Sequence, residues 1–355
     1  MTELHPKKKS SAAFKGFAVI VILALFITNA ITLYMLIKTG FALQQSFESK
    51  PVIVTQIVEQ PEPEEEMVPS IPVSLFMKYA QSDRISIEFL QRFFDDRILI
   101  WHKEQLHSIA IDDSLKKSDF NQKYIVQKEN GIRSYEPEEG NDISLLGIDV
   151  SSYQGNINWN KVRSAGVDYA IIRLGYRGYG TSAVLLDTKY HTNMKNAAAA
   201  GIPTGVYFYS QAINEQEAIE EAETVIKNLK GYQIDYPVVF DMEEVNDDPE
   251  NVRTSQLTPK ERTDITIAFC ERIKEAGYTP MVYGNISWMI LNLEFDRLEE
   301  YDKWFAQYFK QPFFPYEFSM WQYTPSGTID GINGGVDLNM GFKDYKNIPK
   351  NQPSN

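Results

Sequence analysis

From residue 145 onward the chain alternates between two hydrophobic rhythms. Short apolar runs at 145–150, 167–175, 202–210, 236–241 and 278–284 have the length of strands. Between them, at 160–165, 188–200, 215–229 and 259–276, apolar residues recur every three or four positions. That spacing predicts helices, because 3.6 residues per turn brings such positions onto one face. Three of the helices end alike, in Ala165-Gly166-Val167, Ala200-Gly201-Ile202 and Ala276-Gly277-Tyr278. A glycine just past a helix takes the left-handed turn that closes it, and a strand follows at once. Repetition of this joint predicts a parallel β/α architecture. After residue 284, strands at 302–308, 317–323 and 336–339 follow with little helix between them. The expected fold is α/β: an irregular β/α barrel over 145–346, with about eight strands and five helices, and a tail at 347–355.

The region before the barrel reads differently. Residues 16–37 are almost wholly apolar, a run of about 22 residues, long enough for a helix to cross a bilayer. Lys7, Lys8, Lys9 and Lys15 precede it. The positive-inside rule then puts residues 1–15 in the cytoplasm and everything after residue 38 outside. The run is long for a cleaved signal peptide, so an uncleaved single-pass anchor in the cell membrane is expected. Residues 38–70 include Glu59-Gln-Pro-Glu-Pro-Glu-Glu-Glu66, acidic and broken by proline, which predicts an extended stalk. Residues 71–140 predict a small α+β module of their own. Helical spacing runs over 73–94, a hairpin turns near Lys103-Glu104, and a second turns at Asn130-Gly131. No chemistry is evident in this module, and a protein partner is its expected use.

Composition narrows the classes. A net charge of −13 argues against nucleic acid as a partner. Cys270 is the only cysteine, so no internal disulfide can form. It sits at a helical apolar position and reads as core. His5, His102, His107 and His191 show no metal-ligand spacing, and no cofactor is expected. Aromatic residues make up 13% of the chain, which suits stacking on sugar rings as well as a large core.

The sharpest chemical signal is Tyr236-Pro-Val-Val-Phe-Asp-Met-Glu-Glu244. Side chains alternate along a strand, so Asp241 and Glu243 point one way, and Phe240 and Met242 the other. Two carboxylates aimed together from a buried strand suit glycosidic cleavage. One gives a proton to the leaving oxygen and the other handles the positive charge on the sugar. Other strand ends also carry polar or aromatic groups: Asp149, Arg173, Tyr207, Tyr209, Tyr283, Gln307, Tyr308, Gln322, Asp337 and Asn339. A closed barrel would gather these ends on one mouth.

The motifs match a known family in order. Gly147-Ile-Asp-Val-Ser-Ser-Tyr-Gln-Gly155 with Ile157-Asn-Trp159, then Pro237-Val-Val-Phe-Asp-Met-Glu243, Met320-Trp-Gln-Tyr-Thr324 and Gly335-Val-Asp-Leu-Asn339 resemble glycoside hydrolase family 25. These are N-acetylmuramidases (lysozymes) acting on bacterial peptidoglycan. The resemblance covers a little over half of the chain and says nothing about the region before residue 147. It implies a barrel lacking three helices, and β-1,4 cleavage between N-acetylmuramic acid and N-acetylglucosamine. Glu243 would be the catalytic acid, Asp241 its ionised partner, and Asp149 and Asp337 the other acids of the mouth. Expected substrate contacts are Tyr153, Gln154, Arg173, Tyr207, Tyr209, Tyr283, Gln307, Tyr308, Trp321 and Gln322. Participation by the substrate N-acetyl group, with retention, is the favoured route, and direct water attack with inversion stays open. The alternative function is a tethered module that holds wall glycan without cutting it, or a structural part of an envelope complex.

Overall fold

A computed structural model describes residues 86–138, 144–245, 247 and 249–347. All of them belong to one compact unit that begins at Pro69. The expected membrane helix at 16–37 and the acidic stalk lie outside the described residues. Among the described residues, no helix is long and apolar enough to cross a membrane.

Eight strands close the barrel: β5 (Leu145–Val150), β6 (Tyr169–Arg177), β8 (Thr204–Tyr209), β9 (Val238–Asp241), β10 (Pro280–Asn285), β11 (Asp302–Ala306), β12 (Met320–Gly327) and β13 (Val336–Gly341). A short strand, β7 (Val184–Leu186), folds back on β6 and was not expected from the sequence. Pairing is parallel from β5 through β6 and β8 to β12, while β13 runs antiparallel to both its neighbours. That reversal departs from the expected all-parallel repeat, and it follows from the short β12–β13 connection, which has no room for a crossover helix.

Helices α2 (Trp159–Ser164), α3 (Tyr190–Ala199), α4 (Glu215–Leu229), α5 (Pro259–Glu275) and α6 (Ile286–Leu291) follow the first five barrel strands. α5 starts on a capping box, with Thr258 and Glu261 satisfying each other's backbone and Pro259 in the first turn. The three glycine joints all take positive φ, at Gly166, Gly201 and Gly277. Among the described residues, no α-helix follows β11, β12 or β13.

Side-chain alternation splits the core into two layers. Tyr169, Ile171, Val239, Met281, Trp304 and Met320 fill the barrel interior. Ile148, Ile172, Val206, Phe240, Met242, Val282 and Leu338 face outward into a second, larger core. Gly147 is required on the inner face, because a Cβ there would stand 2.1 Å from the Tyr169 ring.

The segment before the barrel departs from expectation. The short helix α1 (Ile87–Gln91) is the described remnant of the helix expected over 73–94. One hairpin pairs β1 (Arg97–His102) with β2 (Gln105–Ala110), and a second pairs β3 (Ile125–Gln127) with β4 (Arg133–Tyr135). Several described residues of the expected separate module pack into the barrel's core. Ile98, Ile100, Ile132 and Tyr135 enter the outer core of the barrel. Phe120 packs against Tyr135, Phe318, Trp321 and Phe342. The Arg133 guanidinium lies over the rings of Trp321 and Tyr323 and donates to the Phe309 carbonyl. These elements cover outward faces that helices would otherwise close.

Candidate active site

β9 ends at Asp241, and Glu243 lies two residues beyond the strand; both acids reach one cavity, while Phe240 and Met242 enter the helix-side core. β5 brings Asp149 to the same mouth. β13 contributes Asp337, which lies opposite Asp149 in the antiparallel register. Asp337 is the second residue of its strand, so it reaches the mouth only because β13 is reversed. The four acids line one cavity of about 230 Å³ together with Tyr207, Tyr283, Trp304, Tyr308 and Gln322.

A fixed amide network holds Asp149. Its Oδ2 accepts from Gln322 Nε2 at 2.9 Å and from Asn339 Nδ2 at 2.8 Å. The Tyr283 and Tyr308 hydroxyls both donate to Gln322 Oε1, at 3.0 and 2.8 Å. Trp304 Nε1 donates to Asn339 Oδ1 at 2.8 Å. Aromatic donors thus set which end of each amide faces Asp149. Burial raises the Asp149 carboxyl to about 6, against the pull of the two amide donors.

Asp241 and Glu243 lie side by side in hydrogen-bond contact. Burial raises Asp241 well above the usual carboxylate range, and the charge of Glu243 and their mutual hydrogen bond push the same way. Burial also raises Glu243, while the hydrogen bond to Asp241 pulls it down and Asp149 pushes it up. Burial is thus the largest cause of the upward shift in both carboxyls. Two buried carboxyls in hydrogen-bond contact titrate as a unit. Asp241 Oδ1 is buried without a hydrogen-bond partner, an acceptor open to a further donor. Asp337 rises to about 8, first through burial and then through the charge of Asp149.

Of the expected substrate contacts, Tyr207, Tyr283, Tyr308 and Gln322 line the cavity. Tyr209 stands at the rim, where burial raises its hydroxyl and the charges of Asp241 and Glu243 add to the shift. Tyr153 is 86% exposed on the loop after β5, with the Arg173 guanidinium over its ring. Arg173 itself is held by Asp187 and Ser152 and so shapes that loop. Gln154 accepts from the Ser151 backbone and caps the same turn.

Two expected contacts are corrected. Trp321 is fully buried on the outward face of β12, with Nε1 on the Gln307 carbonyl. The Gln307 side chain accepts from the Phe313 backbone and organises the β11–β12 connection. Neither reaches the cavity, because alternation aims their neighbours Met320, Gln322, Trp304 and Ala306 inward. Trp304 was absent from the expected site, whereas Asn339 was one of the polar strand ends expected at the mouth. Counting inward positions along β11 and β13 from Ala306 and Asp337 finds both.

Known proteins place this geometry. The family model for glycosyl hydrolases family 25 matches residues 148–332, just over half of the chain. The chain is 28% identical over 211 residues to the Lysozyme M1 of Streptomyces globisporus, covering 55% of this chain and 67% of that one. It is 25% identical over 195 residues to the autolytic lysozyme of Clostridium acetobutylicum, covering 55% of each. The structure of the modular autolysin LytC from Streptococcus pneumoniae in complex with a synthetic peptidoglycan ligand superposes with a TM-score of 0.53 at 26% identity. That match covers 70% of this chain and 57% of the autolysin chain.

Proposed function

The chain belongs to the glycosyl hydrolases family 25, and on that premise we propose that it is a lysozyme-type muramidase acting on peptidoglycan. The bond cut is the β-1,4 link from N-acetylmuramic acid to N-acetylglucosamine. The observation that carries this reading is the gathering of Asp149, Asp241, Glu243 and Asp337 around one cavity, which is what lets one carboxyl hold its proton at neutral pH.

The chemistry follows from that proton. A sugar N-acetyl group entering the cavity offers its N–H to the unpartnered Asp241 Oδ1. Accepting that bond favours ionised Asp241, and the proton passes along the existing hydrogen bond to Glu243. Glu243 then gives it to the leaving glycosidic oxygen. The N-acetyl carbonyl oxygen attacks the anomeric carbon as the bond breaks, and Asp241 balances the charge on the amide nitrogen. Water opens the resulting ring, with Glu243 now taking a proton back, so the configuration is retained. Tyr207, Trp304 and Tyr308 supply aromatic walls for the sugar.

Tethering belongs to the same reading. The apolar run 16–37 and its preceding lysines support a single-pass anchor, N-terminus in the cytoplasm, with the barrel on the outer face. A protein partner for residues 71–140 is likewise part of the proposal, tested by crosslinking the intact chain in cells. Mass analysis of digested sacculi tests the activity. Products ending in reducing N-acetylmuramic acid, absent with Glu243→Gln, support it. Reducing N-acetylglucosamine ends, or no soluble product, overturn it. Fractionation tests the tether: the intact chain should stay with membranes, and a chain lacking residues 1–37 should not.

A further inference from the structure

The hairpin in front of the barrel reaches the catalytic strand. Its tip, Lys103-Glu104, is a two-residue turn in which both residues take positive φ, at 48° and 61°. Asparagine and glycine are the usual occupants of such a turn, and two residues with long side chains are costly there. A strained position points to a use for the side chain it carries. Lys103 Nζ meets Glu244 Oε1 at 2.7 Å, and His102 Nε2 lies 3.7 Å from the other oxygen of the same carboxylate. Besides Lys103, the Arg262 guanidinium is close enough to Glu244 for their charges to attract.

Glu244 directly follows Glu243. The sheet ladder on β9 ends at Asp241, whose carbonyl accepts from the Ser210 backbone at 2.7 Å. Glu243 therefore stands two residues beyond the last paired position. Its backbone is gripped by its neighbours: Met242 is buried in the helix-side core, and Glu244 is held by the hairpin tip. The family match starts at residue 148, so the gripping element comes from outside the family's own domain.

From this the geometry points to the Lys103–Glu244 contact as a latch that positions Glu243, making the 97–110 hairpin a working part of the active site. Lys103 and Glu244 are positioning residues and touch no substrate. The inference rests on the muramidase reading above. Because the pair is partly exposed, its worth is that of a surface ion pair, which caps the effect at about three- to fivefold in rate.

The test uses the full chain and soluble peptidoglycan fragments. Lys103→Gly relieves the turn and removes the latch at once. It should leave Tm unchanged or higher, lower kcat about three- to fivefold, and leave KM unchanged. Lys103→Arg should restore kcat, and Lys103→Glu combined with Glu244→Lys should recover most of what each change alone loses. Unchanged kcat in Lys103→Gly, a loss that tracks Tm, or a swap that recovers nothing overturns the latch. The wild type and Glu243→Gln are run alongside. If wild type is inactive or Glu243→Gln is active, the muramidase reading fails. If those two behave as expected and Lys103→Gly matches wild type, only the latch fails.

Discussion

The two halves of the barrel solve one problem by different means. Strands β6 to β10 turn their outward faces to helices, and Phe240, for instance, packs on Phe269 of α5. Strands β11 to β13 have no following α-helix among the described residues, and the second N-terminal hairpin and the segment before it cover them through Tyr135, Arg133 and Phe120. The acids divide the same way. Asp241 and Glu243 come from the end of one strand of the helical half, two residues apart. Asp149 and Asp337 meet across a seam joining distant parts of the chain. The inner face is thus indifferent to what covers the outer one, provided that cover excludes water from the outward apolar side chains.

The largest expected effect tests the helical half. Glu243→Gln should cut turnover of peptidoglycan on the order of 10³-fold, with an unchanged thermal transition. Substantial residual lysis would mean that the proton comes from elsewhere. The covers can be compared directly by stability. Phe269→Ala empties a fully buried site and should cost about 3–5 kcal/mol. Phe120→Ala opens a half-buried one and should cost about 2 kcal/mol. Equal and negligible losses in urea titrations would show that the hairpins merely lie on the barrel.

The helix-poor half has its own chemical test. Trp304→Phe keeps the ring but removes the donor to Asn339. The amide can then turn, and activity should fall about tenfold, the worth of one buried hydrogen bond. An unchanged rate would leave the Asp149 network without a catalytic role.

The pH test of the same half concerns Asp337, whose folded-state value is near 8 against an unfolded value of about 3.9. The folded protein holds this proton more tightly than the unfolded chain. Its stabilising contribution is complete below pH ~4 and is lost as pH rises through ~8. Asp337→Asn removes that loss, so Tm should exceed wild type at pH 8 and match it at pH 4. A Tm difference that is the same at both pH values would refute the coupling.

Much of this is legible in the amino-acid sequence. Periodicity places the strands and helices from 145 to 285 to within a few residues, because each is long enough to show its rhythm. The Lys103-Glu104 turn is also readable from its flanking runs. Residues 302–345 are harder, since short strands without helices give little rhythm. Gln307 and Trp321 look like substrate contacts there for being polar or aromatic near a strand end, although alternation from Trp304 and Gln322 turns them outward.

The amino-acid sequence by itself pointed to the paired acids at the end of β9, since two residues apart in an extended chain share a face. It also determined the repeated helix-to-strand joint, since glycine is what a left-handed turn admits. Only the tertiary structure decided that β13 runs backward and carries Asp337 to the mouth, that Asp241 and Glu243 are buried against each other, and that the hairpins share the barrel's core. Each of these depends on which distant surfaces meet, and burial and hydrogen bonding act only once they do.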